Sequence, residues 1–388
     1  MKAKVLWLVI PVLASTFCYA QMAPNAGFLC SPPVKGLTVN WTQFHFDTCL
    51  TGFNIYESVL GVSNVGKLVV DSSYPTGKYG YLTSPSIVNG IAYIGSDDGN
   101  LYAWNTVTKS LLWAYTTGNV VNSSPAVANG MVYFGSMDFN LYALNANTGA
   151  LVWQFNTGAL GTTDVTVLNG IVYFGTPDGH IYALNGENGA VIWKYSASAA
   201  AVTTPTVSNG VLFFGSQDHN VSALNATTGA LLWKYQTSGP VESAPSVYSG
   251  ILYFGSNDFN VYALDASTGK LIWKYPTKSY ISATPAINSG IVYVGSYDHY
   301  LYALSAANGS LLWSYKTSYY ITSSAAVANG VVYAGSWDAG VYAFNGITGK
   351  LLWHYITGNS VKSSPALVNG RLYVASADNY LHVFRLPN

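Results

Sequence analysis

Carboxylates are scarce in this chain, and half of them recur at one fixed spacing. Eight Asp residues follow one another at a constant interval, and they make up half of the 16 Asp and Glu residues. The set is Asp98, Asp138, Asp178, Asp218, Asp258, Asp298, Asp338 and Asp378. Such a series could ring a cation, but each Asp lies between two apolar runs, where it can close a tight turn by bonding its own backbone. We therefore predict a repeated structural turn and not a ring of metal ligands.

The other groups that could do chemistry are few and scattered. Asp164 stands where other repeats carry Ser or Thr, Glu242 begins an equivalent segment, and both are interpreted as solvated residues lining a channel. The six His residues show no metal-ligand spacing, although His219 and His299 occupy equivalent turn positions. No pairing of a nucleophile with a base and no phosphate-binding glycine loop can be identified. The sequence therefore favours a protein without catalytic residues, metal site or cofactor site.

The repeat that positions these groups extends through most of the chain. A Trp recurs at the same interval as the Asp, without insertion or deletion, at Trp113, Trp153, Trp193, Trp233, Trp273, Trp313 and Trp353. A Gly closing a short turn recurs with the same period from Gly90 to Gly370. A fixed period of about 40 residues indicates one supersecondary unit copied around or along an axis.

One repeat, residues 121–160, shows what that unit is. Two short apolar segments meet at Asn129-Gly130, a strong hairpin signal, and two further strand-like segments follow, separated by turns. Four short antiparallel strands in one such repeat predict one blade of an all-β propeller. Proline stands at the fifth repeat position in six copies, for example Pro125, which assigns the first strand to the sheet edge at the central channel. The Gly of the second strand, Gly95 in the first copy, is expected to admit the Trp of an adjacent blade.

Counting the copies predicts how the ring closes. Seven repeats are complete, and the eighth, from Val361 to Phe384, ends before its Trp strand. Residues 67–77 resemble the missing fourth strand, with Ser72 where the Trp would stand. We therefore predict an eight-bladed propeller over residues 67–388, closed by an N-terminal strand. An open solenoid is the alternative, and it would leave a sheet edge unpaired.

Residues preceding the propeller indicate export. Residues 1–20 have the positive start, short apolar run and small residues of a signal peptide, and the run is too short to span a bilayer. A lipoprotein would be acylated at Cys18, but Phe17 is larger than the residue expected before a lipidated Cys. Residues 21–66 then form an N-terminal extension, in which Cys30 and Cys49 are predicted to pair in an oxidising compartment, or to remain free thiols. A periplasmic or extracellular protein is expected.

Composition limits the partners. Charged residues make up 8% of the chain and the net charge is zero. Without a basic patch to neutralise phosphates, nucleic-acid binding is not expected. A near-neutral surface gives little repulsion between molecules, which favours a protein that works in an assembly or at a surface.

The segment from Ala143 to Trp153, with Asn147-Thr148-Gly149 before the Trp, resembles the tryptophan docking motif of quinoprotein propellers. The resemblance extends over residues 67–388 and includes quinoprotein alcohol dehydrogenases and the outer-membrane assembly lipoprotein. For the dehydrogenases it implies pyrroloquinoline quinone, a calcium ion, a catalytic Asp and an adjacent cysteine pair. This chain has no adjacent cysteines and few free carboxylates. For the assembly lipoprotein it implies protein partners in the envelope.

Variation among the repeats predicts a recognition face. The turns between second and third strands, and the connections between blades, carry diverse aromatic residues, whereas the opposite turns are uniform. The predicted face comprises Phe139, His219, Phe259, Tyr280, Tyr297, His299, Tyr320 and Trp337. We expect a non-catalytic binding or scaffold module that contacts a protein or another envelope component. A small quinone-dependent alcohol or sugar dehydrogenase is the alternative, and drift in exposed loops would also explain the variation.

Overall fold

The computed structural model describes residues 40–387 except 79, 81, 198, 200 and 201. These residues contain 32 strands and one 3-10 helix, Val65–Lys67. The strands form eight four-stranded antiparallel sheets, which are the blades of a propeller. Blade 1 is the sheet β2–β5, and blade 8 combines β30–β32 with β1, so the predicted all-β architecture of eight blades is confirmed.

The strand bounds repeat almost without change. The first to appear are β1 Val69–Pro75, β2 Ser86–Val88, β3 Ile91–Gly95, β4 Asn100–Asn105, β5 Ser110–Thr116, β6 Ala126–Ala128, β7 Met131–Ser136, β8 Asn140–Asn145 and β9 Leu151–Asn156. Blades 3 to 5 hold β10 Thr166–Leu168, β11 Ile171–Gly175, β12 His180–Asn185, β13 Val191–Ser196, β14 Thr206–Ser208, β15 Val211–Gly215, β16 Asn220–Asn225, β17 Leu231–Gln236, β18 Ser246–Tyr248, β19 Ile251–Gly255, β20 Asn260–Asp265 and β21 Leu271–Pro276. The remainder are β22 Ala286–Asn288, β23 Ile291–Gly295, β24 Tyr300–Ser305, β25 Leu311–Lys316, β26 Ala326–Ala328, β27 Val331–Gly335, β28 Gly340–Asn345, β29 Leu351–Ile356, β30 Ala366–Val368, β31 Arg371–Ser376 and β32 Tyr380–Arg385.

Local sequence explains each blade. Asn129 and Gly130 both have positive φ, 52° and 76°, as the two-residue turn between the first and second strands requires. The second and third strands are buried along nearly their whole length because neighbouring blades cover both of their faces. The outermost strand starts with two exposed residues, Leu151 and Val152, at a register shift against β8, and from the buried Trp153 onward it alternates because one of its faces meets solvent. The apolar core therefore lies between blades.

The chain termini close the ring. Strand β1 pairs antiparallel with β32, from Val69 opposite Arg385 to Pro75 opposite Tyr380. Its Asp71 accepts a hydrogen bond from Arg385 Nε at 2.8 Å and from Lys109 Nζ of blade 1 at 3.0 Å. The closure by an N-terminal strand, as predicted, therefore combines backbone pairing with ion pairs that reach the next blade.

A Trp lies at each of seven blade interfaces. Its Nε1 donates to a backbone carbonyl 33 residues further on, in the next blade, for example from Trp193 to Ala226 O at 2.9 Å. For Trp353 the acceptor is Leu68 O, at 3.1 Å. At the eighth interface Tyr74 stacks at a tilt on Trp104, with centroids 5.2 Å apart, and its hydroxyl faces Thr106 O at 3.5 Å. Tyr74 thus occupies the interface that lacks a Trp.

The expected pairing of this Trp with the Gly of the second strand is wrong. A Cβ on Gly95 would lie 2.5 Å from Val121 Cγ1, so the space there holds an aliphatic side chain of the next blade. The Trp packs instead on the turn glycine before the outermost strand, since a Cβ on Gly149 would lie 2.7 Å from Trp113 Cδ2. The reason is lateral distance: Gly95 lies on the second strand and the Trp on the fourth, about 10 Å away at ~4.8 Å per strand.

The repeated Asp residues join blades. The Oδ1 atom of Asp298 accepts from Tyr300 N at 3.1 Å within its own turn. Its Oδ2 accepts from Tyr302 Oη at 2.7 Å and from Lys278 N, in the connection leaving the preceding blade, at 2.9 Å. The same three kinds of contact recur in blades 2, 5 and 7. Each such carboxylate is occupied by structural donors.

Asp298→Ala is therefore expected to lower the free energy of unfolding by about 1–3 kcal/mol, because partly buried donors lose their acceptor. Denaturant titration followed by circular dichroism measures the change. Asp178→Ala is the matched control, because that carboxylate is 47% exposed and its contacts, a hydrogen bond from Thr176 Oγ1 and His180 Nε2 at 3.8 Å, lie within its own blade. Equal losses in the two variants would show that the cross-blade contacts contribute nothing.

Candidate functional site

The N-terminal segment closes one mouth of the central channel. We call residues 40–54 the plug. They contact the first strand of each blade in order from 1 to 8. Seven contacts are hydrogen bonds from the backbone N–H at the seventh repeat position, among them Ile87 N to Trp41 O at 2.7 Å and Val207 N to Thr48 O at 2.8 Å. In blade 8 the direction is reversed, and Asn54 Nδ2 donates to Leu367 O at 2.7 Å.

Unpaired backbone N–H groups on the first strands explain why the plug contacts every blade in turn. The first strand of each blade has only one neighbour in its sheet, so its channel-facing N–H groups need acceptors from elsewhere. The plug supplies them with backbone carbonyls and with Gln43 Oε1, which accepts from Val167 N at 3.1 Å. Its own core is Trp41, which is buried, with Phe46 5.1 Å away between ring centroids. Phe44 lines the channel cavity, so the channel is blind at this end.

The plug contains Cys49, one of the two residues of the predicted disulfide. Cys49 is fully buried and takes part in a disulfide. Cys30 and the predicted signal peptide lie outside the described residues, so the Cys30–Cys49 pairing stays a prediction.

The segment after the plug passes over blades 7 and 8, where Glu57 Oε2 accepts from Gly370 N at 2.8 Å, and then enters β1.

A ring of polar side chains lines the channel above the plug. The backbone N–H of Ser364 donates to Ser84 Oγ at 2.9 Å, and that of Ser84 donates to Ser124 Oγ at 3.1 Å. In blade 3 Asp164 replaces the hydroxyl, and its Oδ1 accepts from Ser124 N at 2.5 Å. Burial raises the pKa of Asp164, and its hydrogen bonds with Ser124 and Thr204 oppose that effect. Asp164 therefore belongs to a hydrogen-bonded ring and also faces the channel.

Nearer the open mouth two side chains of opposite charge face the same cavity. Glu242 in blade 5 accepts from Gln217 Nε2 at 2.8 Å. Lys362, in the connection to blade 8, holds its Nζ 4.0 Å from the centroid of the Trp337 ring. Asp164, Glu242 and Lys362 all line one cavity of about 390 Å³. Lys362 was not among the predicted site residues, although it is the one cation at the second repeat position.

The donor set does not fit a quinone and calcium centre. Calcium takes six to eight oxygen ligands, usually with several carboxylates. The cavity is lined by only two carboxylates among the described residues, and they lie in blades 3 and 5. The same part of the chain contains no group of three or more His, Cys, Asp or Glu side chains placed to hold a metal ion.

Beside the open mouth lies a continuous row of aromatic rings, which we call the aromatic crescent. Its members, from blade 5 to blade 7, are Phe259, Tyr280, Tyr297, His299, Tyr319, Tyr320 and Trp337. Neighbouring ring centroids lie 4.3 to 6.3 Å apart. Trp337 Nε1 donates to Thr322 Oγ1, which lines the channel, at 2.7 Å. The crescent therefore borders the cavity.

Chain direction places the crescent opposite the plug. The plug pairs with Ile87, near the end of a first strand, whereas Leu82 at the start of that segment bridges Ser96. The turns after the second strands, which carry Phe259, His299 and Trp337, therefore lie at the open mouth. Phe139 and His219 occupy equivalent turns in blades 2 and 4, and no ring contact joins them to the crescent within the described residues. The predicted face is thus concentrated on one side.

Comparison with known proteins agrees with this architecture. A family model described as outer membrane protein assembly factor BamB matches residues 75–165, 137–258 and 320–386, which together exceed half of the chain. The chain belongs to this BamB family. No curated protein sequence matches it. Within the described residues no helix is long and apolar enough to cross a membrane.

Solved structures of the same fold include members with different roles. The chain is similar to BamB from Moraxella catarrhalis, with a TM-score of 0.72 and 20% identity over 82% of this chain and 99% of that one. It is also similar to the quinohemoprotein alcohol dehydrogenase from Comamonas testosteroni, with a TM-score of 0.75 and 17% identity over 90% and 82%. It is similar, too, to a europium-containing methanol dehydrogenase, with a TM-score of 0.76 and 15% identity over 90% of this chain and 99% of that one. These identities establish the fold alone.

Proposed function

We propose that this chain is an exported, non-catalytic binding module that holds a protein partner in the cell envelope through the aromatic crescent. The observation that carries the proposal is the crescent itself, a row of seven aromatic rings, each in contact with its neighbours, on a surface with few charges. Phe259, Tyr280 and Tyr319 are 41%, 49% and 43% exposed. Tyr and Trp dominate binding energy at protein interfaces because they bury large areas at low entropic cost. The description of its family as an assembly factor supports the same role.

Export and a stabilised N-terminus belong to this proposal. Residues 1–20 act as a signal peptide, and Cys30 with Cys49 forms the disulfide that anchors the plug. A periplasmic location follows by analogy with the family. The partner is expected to present an apolar patch with acidic groups at its edges, because Lys278 and Lys362 lie at the two ends of the crescent.

The test replaces the aromatic rings that project from the turns. A photo-crosslinking residue at Tyr320 identifies the partner in envelope preparations, and the purified pair is then titrated. Tyr297→Ala, His299→Ala and Trp337→Ala combined are expected to weaken binding at least tenfold, or about 1.4 kcal/mol. Phe139→Ala with His219→Ala, on the same face but outside the crescent, is the control and should bind like wild type. An unchanged affinity in the triple variant, with its melting temperature preserved, contradicts the proposal.

The alternative is a small quinone-dependent dehydrogenase, favoured by similarity to the Comamonas testosteroni enzyme over 90% of this chain. The mature protein is incubated with pyrroloquinoline quinone and calcium, desalted, and examined for a retained chromophore. Stoichiometric retention together with dye-linked oxidation of an alcohol or sugar would establish the enzyme. We expect neither, because the channel lacks the required ligand set.

A further inference from the structure

We propose that this chain forms a two-fold symmetric dimer in which β9, the outermost strand of blade 2, pairs antiparallel with β9 of a second copy. The two blades then form one continuous sheet across the contact. This contact lies on the rim of the propeller and is independent of binding at the aromatic crescent. Because the crescent runs from blade 5 to blade 7, its centre lies across the eight-bladed ring from blade 2, and both crescents of the dimer stay accessible.

Strand β9 carries backbone groups that no other strand of the described residues receives. It is the last strand of its sheet, after β6, β7 and β8. Thr157 N donates to Phe139 O at 2.8 Å, and the side on which backbone groups point alternates along a strand, so those of Phe155 also face β8. The N–H and C=O groups of Gln154 and Asn156 therefore point away from the sheet. Such an edge is a template for a further strand.

Exposed aliphatic side chains accompany this edge. Leu151 and Val152 begin β9 and are exposed. The same pair of positions is exposed and aliphatic in blades 1, 3, 4, 5 and 6, at Leu111 and Leu112, Val191 and Ile192, Leu231 and Leu232, Leu271 and Ile272, and Leu311 and Leu312. This apolar belt favours association through the rim, but it does not select a blade.

Charge selects blade 2. At the position of Gln154, blades 3, 4 and 5 carry exposed Lys residues, which are Lys194, Lys234 and Lys274. Lys on an edge strand opposes pairing with a second copy, because like charges meet across the contact. The other outermost strands contain or adjoin a charged residue at Lys109, Lys316, Lys350 and Asp71. By contrast, residues 139–163, which include β9, contain no Asp, Glu, Lys, Arg or His.

A second copy of the same strand suits this edge. With Gln154 on the two-fold axis, Val152 of each copy lies opposite Asn156 of the other. Gln154 then meets its own symmetry mate, and two primary amides can hydrogen-bond because each is both donor and acceptor. The zero net charge of the chain adds little repulsion between two copies. Pairing of one strand with itself closes at two copies, whereas pairing with a different blade would continue into open chains.

Sedimentation velocity of the mature chain at increasing protein concentration tests the proposal. We expect a reversible monomer–dimer equilibrium with a dissociation constant of about 100 µM or less, and no larger species. Gln154→Lys should weaken dimerisation at least tenfold, because two Lys side chains then face each other at the axis. The fold should tolerate this change, since blades 3 to 5 carry Lys at the same position. Ser314→Lys, the same change on the edge of blade 6, is the matched control and should dimerise like wild type.

Pairing of opposite charges tests the two-fold axis itself. Gln154→Glu alone should weaken dimerisation as Gln154→Lys does, but an equal mixture of the two variants should form a mixed dimer at least as readily as wild type. A general effect of charge on association would not be reversed by mixing. A wild type that stays monomeric up to about 1 mM, an unchanged dimer in Gln154→Lys, or absence of the mixed dimer overturns the proposal. Binding of the protein partner is measured separately, so failure here leaves the crescent proposal standing.

Discussion

Trp193→Ala is expected to lower the free energy of unfolding by about 3–5 kcal/mol, the cost of removing a large buried aromatic side chain. Trp193 is 8% exposed and packs against Tyr173 with centroids 6.0 Å apart. Its Nε1 donates to Ala226 O at 2.9 Å in the next blade. The substitution therefore opens a cavity between blades 3 and 4 and removes the shorter of two hydrogen bonds to Ala226 O, which keeps the one from Tyr173 Oη at 3.3 Å.

Denaturant titration of wild type and variants measures this loss. Ile192→Ala is the matched control, because Ile192 precedes the Trp in the same strand but is 45% exposed. Its loss should be below about 1 kcal/mol, since removal of an exposed apolar group creates no cavity. Trp193→Phe should fall between the two, because it retains part of the volume and lacks the indole donor. A Trp193→Ala variant as stable as Ile192→Ala would show that the blade interface does not depend on this side chain.

The second large effect concerns His45 in the plug. Its Nδ1 lies 2.6 Å from Leu50 O and its Nε2 lies 2.8 Å from Ala325 O. Burial lowers the pKa of His45 to about 4, although both hydrogen bonds favour the protonated ring and oppose the shift. Between pH 6.5 and 4 the unfolded chain binds a proton that the folded chain does not. Stability from this group is therefore present above pH 6.5 and is lost as the pH falls toward 4.

His45→Gln is expected to remove this dependence. A shift of this size corresponds to about 3 kcal/mol at pH 4, from ~1.4 kcal/mol per pKa unit. The difference in unfolding free energy between wild type and His45→Gln should thus change by about 3 kcal/mol between pH 7 and pH 4, in favour of the variant at low pH. Phe44→Leu, a plug substitution without a titratable group, should shift stability equally at both pH values. Parallel pH profiles for wild type and His45→Gln would refute the expectation.

Asp47 in the plug changes stability with pH in the opposite direction to His45. The contribution of His45 can therefore be measured only by comparing wild type with His45→Gln. Burial raises the pKa of Asp47 to about 6, against hydrogen bonds from Thr51 that lower it. The folded chain then binds a proton at Asp47 before the unfolded chain does, so stability from this group increases as the pH falls below about 6. The two effects oppose each other in wild type between pH 6 and pH 4. Only the comparison with His45→Gln separates them.

Much of the fold was predictable because hairpin turns and strand edges depend on residues that are close together in the sequence. Asn129-Gly130 permits the positive φ angles of a two-residue hairpin, and Pro125 requires an unpaired sheet edge. Repetition of such signals at one constant interval predicted the blades, their number and the strand that closes the ring. The Trp neighbour was assigned to the wrong glycine because packing between blades depends on lateral distance across a sheet, which a linear pattern does not encode.

For the candidate site, too, the sequence predicted some features and only the tertiary structure showed the others. The sequence identified the aromatic turn residues, and it assigned Asp164 and Glu242 to the channel. It did not show that Phe259 to Trp337 form one continuous crescent while Phe139 and His219 lie apart. Nor did it show Lys362 in the lining of the same cavity as the two carboxylates, since that relation exists only when eight blades close into a ring.

The plug shows most clearly what only the tertiary structure decides. Residues 40–54 have no repeat and no strand periodicity, so no local pattern predicts their path. Their conformation depends on backbone groups that face the channel in blades up to 313 residues away, as in the hydrogen bond from Asn54 Nδ2 to Leu367 O. The sequence by itself determined the blades, because hairpins and strand pairing arise from neighbouring residues. The tertiary structure decided which mouth is closed and which is open, because unpaired backbone donors gather around one axis only in the closed ring.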